Sequence, residues 1–342
     1  MSDTTKRRPR FKRTNNRPIR LTHDDLSMMR LVARDRFRDI DDFRRELPHR
    51  SPKRLGERVR LLFDHGYLDK PREQCNDHTV GGTPPTIYAL GNRGAQLLAE
   101  VDGYPAPKSN WTDKNRSVGR RHIKHTMRTA DISNALFRLP RYIPTIKVIT
   151  ADDILAGAPA LTRTNPRPWL WRAHVRTPDG SLRQSTVLPD ANFGIDLTDL
   201  RKRYYFFAEA DRGTEPVNRS NRKQTSVARK LETYLAALHT GFHRTHFGIG
   251  NARILIVTTS QQRIQTMHDA LRDIAGNRDC SMFLFADHQQ VRAALHLLAV
   301  QWRTAAGDFV SLIDQPNRKE NPHGSPPQPQ TYARPHHSAG GQ

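Results

Sequence analysis

From residue 145 to residue 287 the chain alternates short apolar runs of strand type with longer amphipathic stretches of helical period, and this alternation constrains the fold most. The runs are TIKVIT (145–150), STVLPDANFGIDL (185–197), RYYFFAEAD (203–211), ARILIVTT (252–259) and SMFLFAD (281–287), the last expected to close a sheet. Helices are expected over about 114–139, 221–238 and 261–274, and Pro159, Pro166 and Pro168 mark an irregular stretch between the first two strands. The resulting order, αβββαβαβ, predicts a mixed sheet with helices on both faces, so the fold class is α/β (α+β).

The first hundred residues follow another pattern. Thr22 can cap a helix with Asp24 and Asp25 in its first turn, a second helix runs from Asp39 to Leu47, and Ser51 with Pro52 opens a third that Gly66 stops. A strand at 86–90 and the helix NRGAQLLAEV follow. This is the layout of a winged helix-turn-helix, whose third helix enters the major groove, and Lys53, Arg54 and Arg58 stand on the polar side of that helix. Residues 1–20 carry eight Lys or Arg, including Arg7, Arg8 and Arg10, and read as a disordered basic arm that grips phosphate. The expected organisation is thus an arm (1–20), a winged-helix domain (21–102), a linker (103–114), an α/β domain (115–313) and a Pro/Gln/His/Gly-rich disordered tail (314–342).

Charge names the partner class. Lys and Arg number 56 against 34 Asp and Glu, a formal +22 with pI about 10.7, which attracts phosphate polymers and points to double-stranded DNA. The longest aliphatic run, Ile254 to Val257, is far too short to cross a bilayer, and no apolar signal region follows the basic start, so the expectation is a cytoplasmic protein with no membrane partner. Cys75 and Cys280 are too few and too distant for a zinc site and are expected to be reduced thiols. No phosphate-binding glycine loop or dinucleotide fingerprint is present.

Two neighbouring strands carry acids in apolar surroundings: Asp190 after Pro189 in one, Glu209 and Asp211 in the next. Buried carboxylates are costly unless paired or bound to a cation. If the strands form a hairpin around 199–202, odd registers set Asp190 opposite Glu209 or Asp211 on one face, a hard-oxygen site for Mg²⁺ or Mn²⁺ that could activate water beside a phosphate. The competing reading is a set of strand-end acids answering Arg201, Lys202, Arg203 and Arg212. His122 and His125 have metal-like spacing without a third ligand and read as packing or surface residues; His239, His243 and His246 lack a companion acid and read as a solvated or phosphate-touching cluster; Tyr204, Tyr205 and Tyr234 read as structural.

The segments LPDANFGIDL, YYFFAEADRGTEP, RKQTSVARKLETYLAAL and ARILIVTTSQQRIQTM, with the helix HIKHTMRTADISNAL and the preceding winged helix, resemble the replication-relaxation family of bacterial proteins associated with plasmid replication and DNA relaxation. The resemblance spans roughly residues 20–300. It implies a C-terminal half similar to PD-(D/E)xK nucleases, with Asp190 as the first metal-binding acid and Glu209 as the second. Asp211 stands where that motif has lysine, so the missing cation would come from the next helix, Lys230 first and Lys223 second, while Asp211 becomes a third carboxylate at the metal. The implied function is DNA binding in plasmid or mobile-element replication with Mg²⁺-dependent nicking, alongside replication or mobilisation proteins. The alternative is a winged-helix transcriptional or partition regulator whose inactive nuclease-like domain forms a homodimer.

Overall fold

The computed structural model describes residues 11–14, 17–74, 84–103, 110–176, 180–217 and 226–313. The chain opens with α1 (His23–Asp35), β1 (Phe37–Asp39), α2 (Ile40–Glu46), α3 (Pro52–Asp64), β2 (Leu68–Asp69), β3 (Ile87–Leu90) and α4 (Asn92–Asp102). Helix starts follow local chemistry. The Asp25 carboxylate accepts both the backbone N–H and the hydroxyl of Thr22, Asp39 accepts the N–H groups of Asp41 and Asp42, and Ser51 accepts that of Arg54. Gly66, at φ +78°, turns the chain out of α3. The strands form an antiparallel sheet in the order β1-β3-β2, and Met28, Val32, Phe43, Leu55, Val59, Leu62 and Leu98 fill the core beside it.

Two expectations change here. Part of the basic segment is held: Arg13 pairs with Asp69 at 3.1 Å, the Thr14 N–H donates to Asp64 at 3.1 Å, and Ile19 and Leu21 pack on the core. The long helix expected at 114–139 is three helices, α5 (Trp111–Ser117), α6 (Arg120–Phe137) and α7 (Leu139–Tyr142). Asn110 caps α5, so helix begins inside the expected linker, and extended Val118 and Gly119 separate α5 from α6. The expected arm residues Arg7, Arg8 and Arg10, and Cys75, lie outside the described residues.

The second group of elements is β4 (Ile146–Ile149), α8 (Ala151–Gly157), α9 (Ala160–Arg163), β5 (Trp171–Arg176), β6 (Leu182–Val187), β7 (Ala191–Leu197), β8 (Lys202–Ala210), α10 (Val227–His239), α11 (Phe242–Phe247), β9 (Arg253–Thr258), α12 (Gln261–Ala275), β10 (Phe283–Asp287), α13 (His288–Ala293), β11 (Trp302–Thr304) and β12 (Phe309–Val310). A seven-stranded mixed sheet runs β12-β11-β10-β9-β8-β7-β4, with β8, β9 and β10 parallel. The expected α/β class is therefore present. The single strand expected at 185–197 is two: Pro189 has no N–H for a ladder, so β6 ends before it and pairs instead with β5, a strand inside the stretch expected to be irregular. The segment expected to close the sheet does not, because β11 and β12 extend its edge beyond β10.

Strand alternation sorts the side chains. Phe207, Ile254, Ile256, Phe283 and Phe285 meet α10 and α12 on one face, while Phe206, Ala208, Leu255, Val257 and Leu284 meet α6 and α13 on the other. Gly194 lets β7 sit close to its neighbours: a Cβ there would come within 2.9 Å of the Tyr204 carbonyl.

Helix α6 joins the two groups. Its first half buries Ile123 against Phe37 and Ala89, and its second half buries Ile132, Ala135 and Leu136 against the large sheet. A polar junction lies alongside, where Arg292 reaches Asp39 and Asp131, His288 meets Asp131 at 2.8 Å, and Arg138 contacts Glu46 at 3.6 Å. Among the described residues no helix is long and apolar enough to cross a membrane.

Candidate active site at the β7 and β8 strand ends

The hairpin register decides which acids meet. Ala191 pairs with Ala208 and Asn192 with Phe207, but the Asp190 N–H goes to the Ala208 carbonyl, so the ladder slips by one residue there and the expected opposition of Asp190 and Glu209 is not formed: the Asp190 carboxylate meets α6, whereas that of Glu209 faces α10. Asp190 is fixed by its own backbone N–H to the Ala208 carbonyl at 2.9 Å and by its Oδ2 accepting the Ala210 N–H at 2.8 Å. Its Oδ1 lies 2.9 Å from Nε2 of His125 on α6. Glu209 points to the α10 face. There its Oε1 accepts the Tyr234 hydroxyl at 2.6 Å and its Oε2 accepts the Lys230 ammonium at 3.1 Å. Lys230 also stands 3.5 Å from Glu215.

Helix α10 delivers these partners because Lys230 and Tyr234 are one turn apart on one side of it. Ser226 caps the helix start by accepting the Arg229 N–H, and a 2.8 Å hydroxyl pair between Ser185 and Thr233 pins α10 to β6.

Burial sets the electrostatics. Glu209 is almost fully buried and its pKa is pushed up to about 7, first by desolvation and then by Asp190, against the opposing pull of Lys230 and the Tyr234 hydroxyl. Burial disfavours the Lys230 charge, but Glu209, Glu215 and Asp190 outweigh it and hold the ammonium pKa above its ordinary value. Lys230 is therefore a fixed cation rather than a proton acceptor at neutral pH. The His125 pKa is raised, chiefly by its hydrogen bond to Asp190.

Asp211 has a different fate. It lies two residues beyond Glu209, but α12 presents Arg263, whose Nε and Nη2 hold both carboxylate oxygens at 2.6 and 2.9 Å, and the Thr258 hydroxyl adds a further bond. Burial would raise the Asp211 pKa, but Arg263 and Thr258 outweigh it and the net direction is down. The expected three-carboxylate metal site is not assembled: Asp211 is occupied by a bidentate guanidinium, and among the described residues no group of three or more His, Cys, Asp or Glu side chains could hold a metal.

Of the lysines considered for the missing cation, Lys230 is beside Glu209, and Lys223 lies outside the described residues. In α3, Lys53 and Arg54 are exposed, but Arg58 is not presented with them: its Nε donates to buried Asp25 at 2.7 Å and its Nη2 to the Arg20 carbonyl at 2.6 Å. That ion pair is a structural use of a residue expected at DNA. His239, which is exposed, and half-buried His246 bond the carbonyls of Asp279 and Pro168.

Sequence reasoning passed over His125 as a packing residue and Tyr234 as structural, and did not weigh Glu215. The only signal for Tyr234 was its spacing of four from Lys230. Nothing local links His125 to Asp190, which is 65 residues away.

The fold is of mixed α/β class, and comparison with known proteins gives its family. The replication-relaxation family model matches residues 45–251, more than half of the chain, from the end of α2 to the residues just before β9. The chain belongs to the replication-relaxation family. No curated protein and no solved structure matches it.

Proposed function

We propose that this protein acts in plasmid replication or relaxation by binding double-stranded DNA through a winged-helix domain (21–102) and nicking it with a metal-dependent, PD-(D/E)xK-like domain (115–313). The observation that carries this reading is the buried Glu209–Lys230 pair, 3.1 Å apart at the end of β8, with Asp190 bound to His125 just before β7.

The donor set suits Mg²⁺ or Mn²⁺. Both carboxylates offer hard oxygens, each oxygen has one hydrogen-bond partner among the described residues and so keeps a second lone pair, and Mg²⁺ commonly takes one or two protein carboxylates and completes its shell with water and phosphate. Such an ion would activate water and neutralise charge on the scissile phosphate. The chain's own groups have separate tasks. Tyr234 orients Glu209, His125 and the Ala210 N–H orient Asp190, and Lys230 supplies the charge that the motif's lysine would supply to the phosphate. Lys53 and Arg54 on α3 are placed to meet backbone or bases in the major groove.

The test is nicking of supercoiled plasmid in Mn²⁺ and Mg²⁺. Wild type should nick, Asp190→Ala should not, and Lys230→Ala should lose about 10²–10³-fold while still binding DNA. A second reading, a nuclease-derived module that only holds DNA, is favoured by the closed pairing of Glu209 with Lys230 and Tyr234. Wild-type DNA binding without nicking in either metal would establish that reading and reject the catalytic one.

A further inference from the structure

The antiparallel ribbon of β5 and β6 stands apart from both larger sheets. Strand alternation turns Trp171, Ala173, Val175, Ser185 and Val187 inward, where all are buried, and Arg172, His174, Arg176, Leu182, Gln184 and Thr186 outward, where all are exposed. The inner side is held firmly. Trp171 meets Phe207 and Tyr234 edge-on, with ring centroids 4.7 and 5.4 Å apart, and the Ser185 and Thr233 hydroxyls pair at 2.8 Å. A two-stranded ribbon is marginal by itself, so this anchoring on α10 turns it into a rigid platform.

The outer face is composed for a ligand. Its cross-strand pairs are Arg172 with Thr186, His174 with Gln184 and Arg176 with Leu182. Opposite charges across strands would stabilise such a face, but neither strand contains Asp or Glu. No ion pair with a described residue occupies Arg172 or Arg176, and Leu182 is left 67% exposed. The major groove of B-form DNA admits a two-stranded ribbon, and each of these side chains has a counterpart there. Guanidinium groups bond phosphate or the guanine O6/N7 edge, a carboxamide bonds the adenine N6/N7 edge, a hydroxyl bonds either purine edge, and an aliphatic side chain covers a thymine methyl.

The ribbon is also tied to the strand-end acids. Asp190 stands three residues after β6, and α10, on which the inner side rests, carries Lys230 and Tyr234. A duplex seated on the ribbon is therefore held in a fixed relation to that helix.

We infer that the outer face of the β5–β6 ribbon is a DNA-reading surface that lies in the major groove and sets the register of a bound duplex relative to α10. The surface rests on the reading of the protein as DNA-binding, is separate from α3, and takes its occupant from charge complementarity and from the match of its polar groups to base edges.

Salt-dependent binding of a labelled duplex to the full chain tests this. Comparison of wild type, an Arg172→Gln/Arg176→Gln variant and a Lys53→Gln/Arg54→Gln variant separates the ribbon from α3. Each phosphate contact contributes about 0.9 to the slope of log K against log salt, so the ribbon variant should bind more weakly with a slope shallower by about 1–2. Its thermal midpoint should match wild type, because both side chains are exposed. Wild-type affinity and slope in the ribbon variant, with losses only in the α3 variant, would overturn the ribbon surface and leave DNA binding intact; no wild-type binding to DNA would overturn both. Base reading is tested on the duplex that wild type enriches from a random pool. Gln184→Ala should bind it about tenfold more weakly at an unchanged salt slope. Wild-type affinity of that variant, or no enrichment of any sequence, would overturn the placement in the groove. Modification of His174 by diethyl pyrocarbonate in the wild-type chain gives a readout independent of variant folding: DNA should protect it several-fold. Equal reactivity with and without DNA would reject the proposal, and equal protection by polyglutamate would assign the face to an acidic protein instead.

Discussion

Two clusters of acids are removed from water in this molecule, and they are answered differently. At the junction between the small and large sheets, Asp39, Asp42 and Asp131 surround Arg292, with His288 on Asp131. At the strand ends, Asp190 and Glu209 face Lys230, Tyr234 and His125. A guanidinium is always charged and spreads several donors over its neighbours, so Arg292 consumes the junction acids. Lys230 is a single point of charge with 40% of its side chain exposed, beside an Asp190 side chain that is 20% exposed. The first arrangement holds two parts of the chain together, whereas the second leaves the Lys230 ammonium and the Asp190 carboxylate partly exposed, with Glu209 buried against Lys230 and Tyr234. The same contrast recurs within one strand, where Arg263 takes Asp211 and Lys230 takes Glu209.

Removal of the cation should expose this difference most strongly at the junction. Arg292→Ala leaves three acids without their shared partner and should cost about 3–5 kcal/mol in urea unfolding, the range for one partner lost from a buried ion pair. Glu209→Gln, which keeps the shape and the Tyr234 contact, should change stability by about 1 kcal/mol or less. Equal losses in the two variants would erase the distinction between a clasp and a site.

The pH dependence of the junction sharpens the comparison. Burial first, and then Asp39 and Asp131, push the Asp42 pKa up to about 6. The folded chain then binds this proton more tightly than the unfolded chain, so the Asp42 contribution falls as pH rises from about 4 to 6 and the ionised side chain is a net cost above that. Asp42→Asn should therefore raise stability by up to about 3 kcal/mol at pH 8 and leave it nearly unchanged at pH 4. A gain that is the same at both pH values would show that Asp42 ionisation is not its source.

The smallest expected effect is at Tyr234. Tyr234→Phe removes a 2.6 Å hydrogen bond to Glu209 and should cost about 1 kcal/mol of stability. The hydroxyl favours the ionised carboxylate, so its loss should also move the Glu209 titration midpoint upward from about 7. A midpoint that stays in place would remove Tyr234 from the set of residues that tune the site.

What was legible in the sequence was local or periodic. Ser51 announces a helix start through its side-chain oxygen, and the alternation in β7 and β8 marks the hairpin. Lys230 was accessible as a cation one helix downstream. The rest depends on distant partners. Arg263 reaches Asp211 from 52 residues away, Arg58 reaches Asp25 from 33, and Arg292 reaches Asp39 from 253, and no pattern within a helix or strand encodes such pairings. The division at Pro189 had a local cause, but the apolar run across it read as one strand because β5, the partner that takes β6, lies in proline-rich sequence.

The central proposal is that Asp190 and Glu209 together hold a divalent cation. Calorimetric titration of Mn²⁺ into wild type and Glu209→Gln at pH 8 tests it without requiring turnover. One site should be seen in wild type and lost in Glu209→Gln, with the thermal midpoint of the metal-free variant near that of wild type. Equal Mn²⁺ binding by the two proteins, or none by wild type, would contradict the claim.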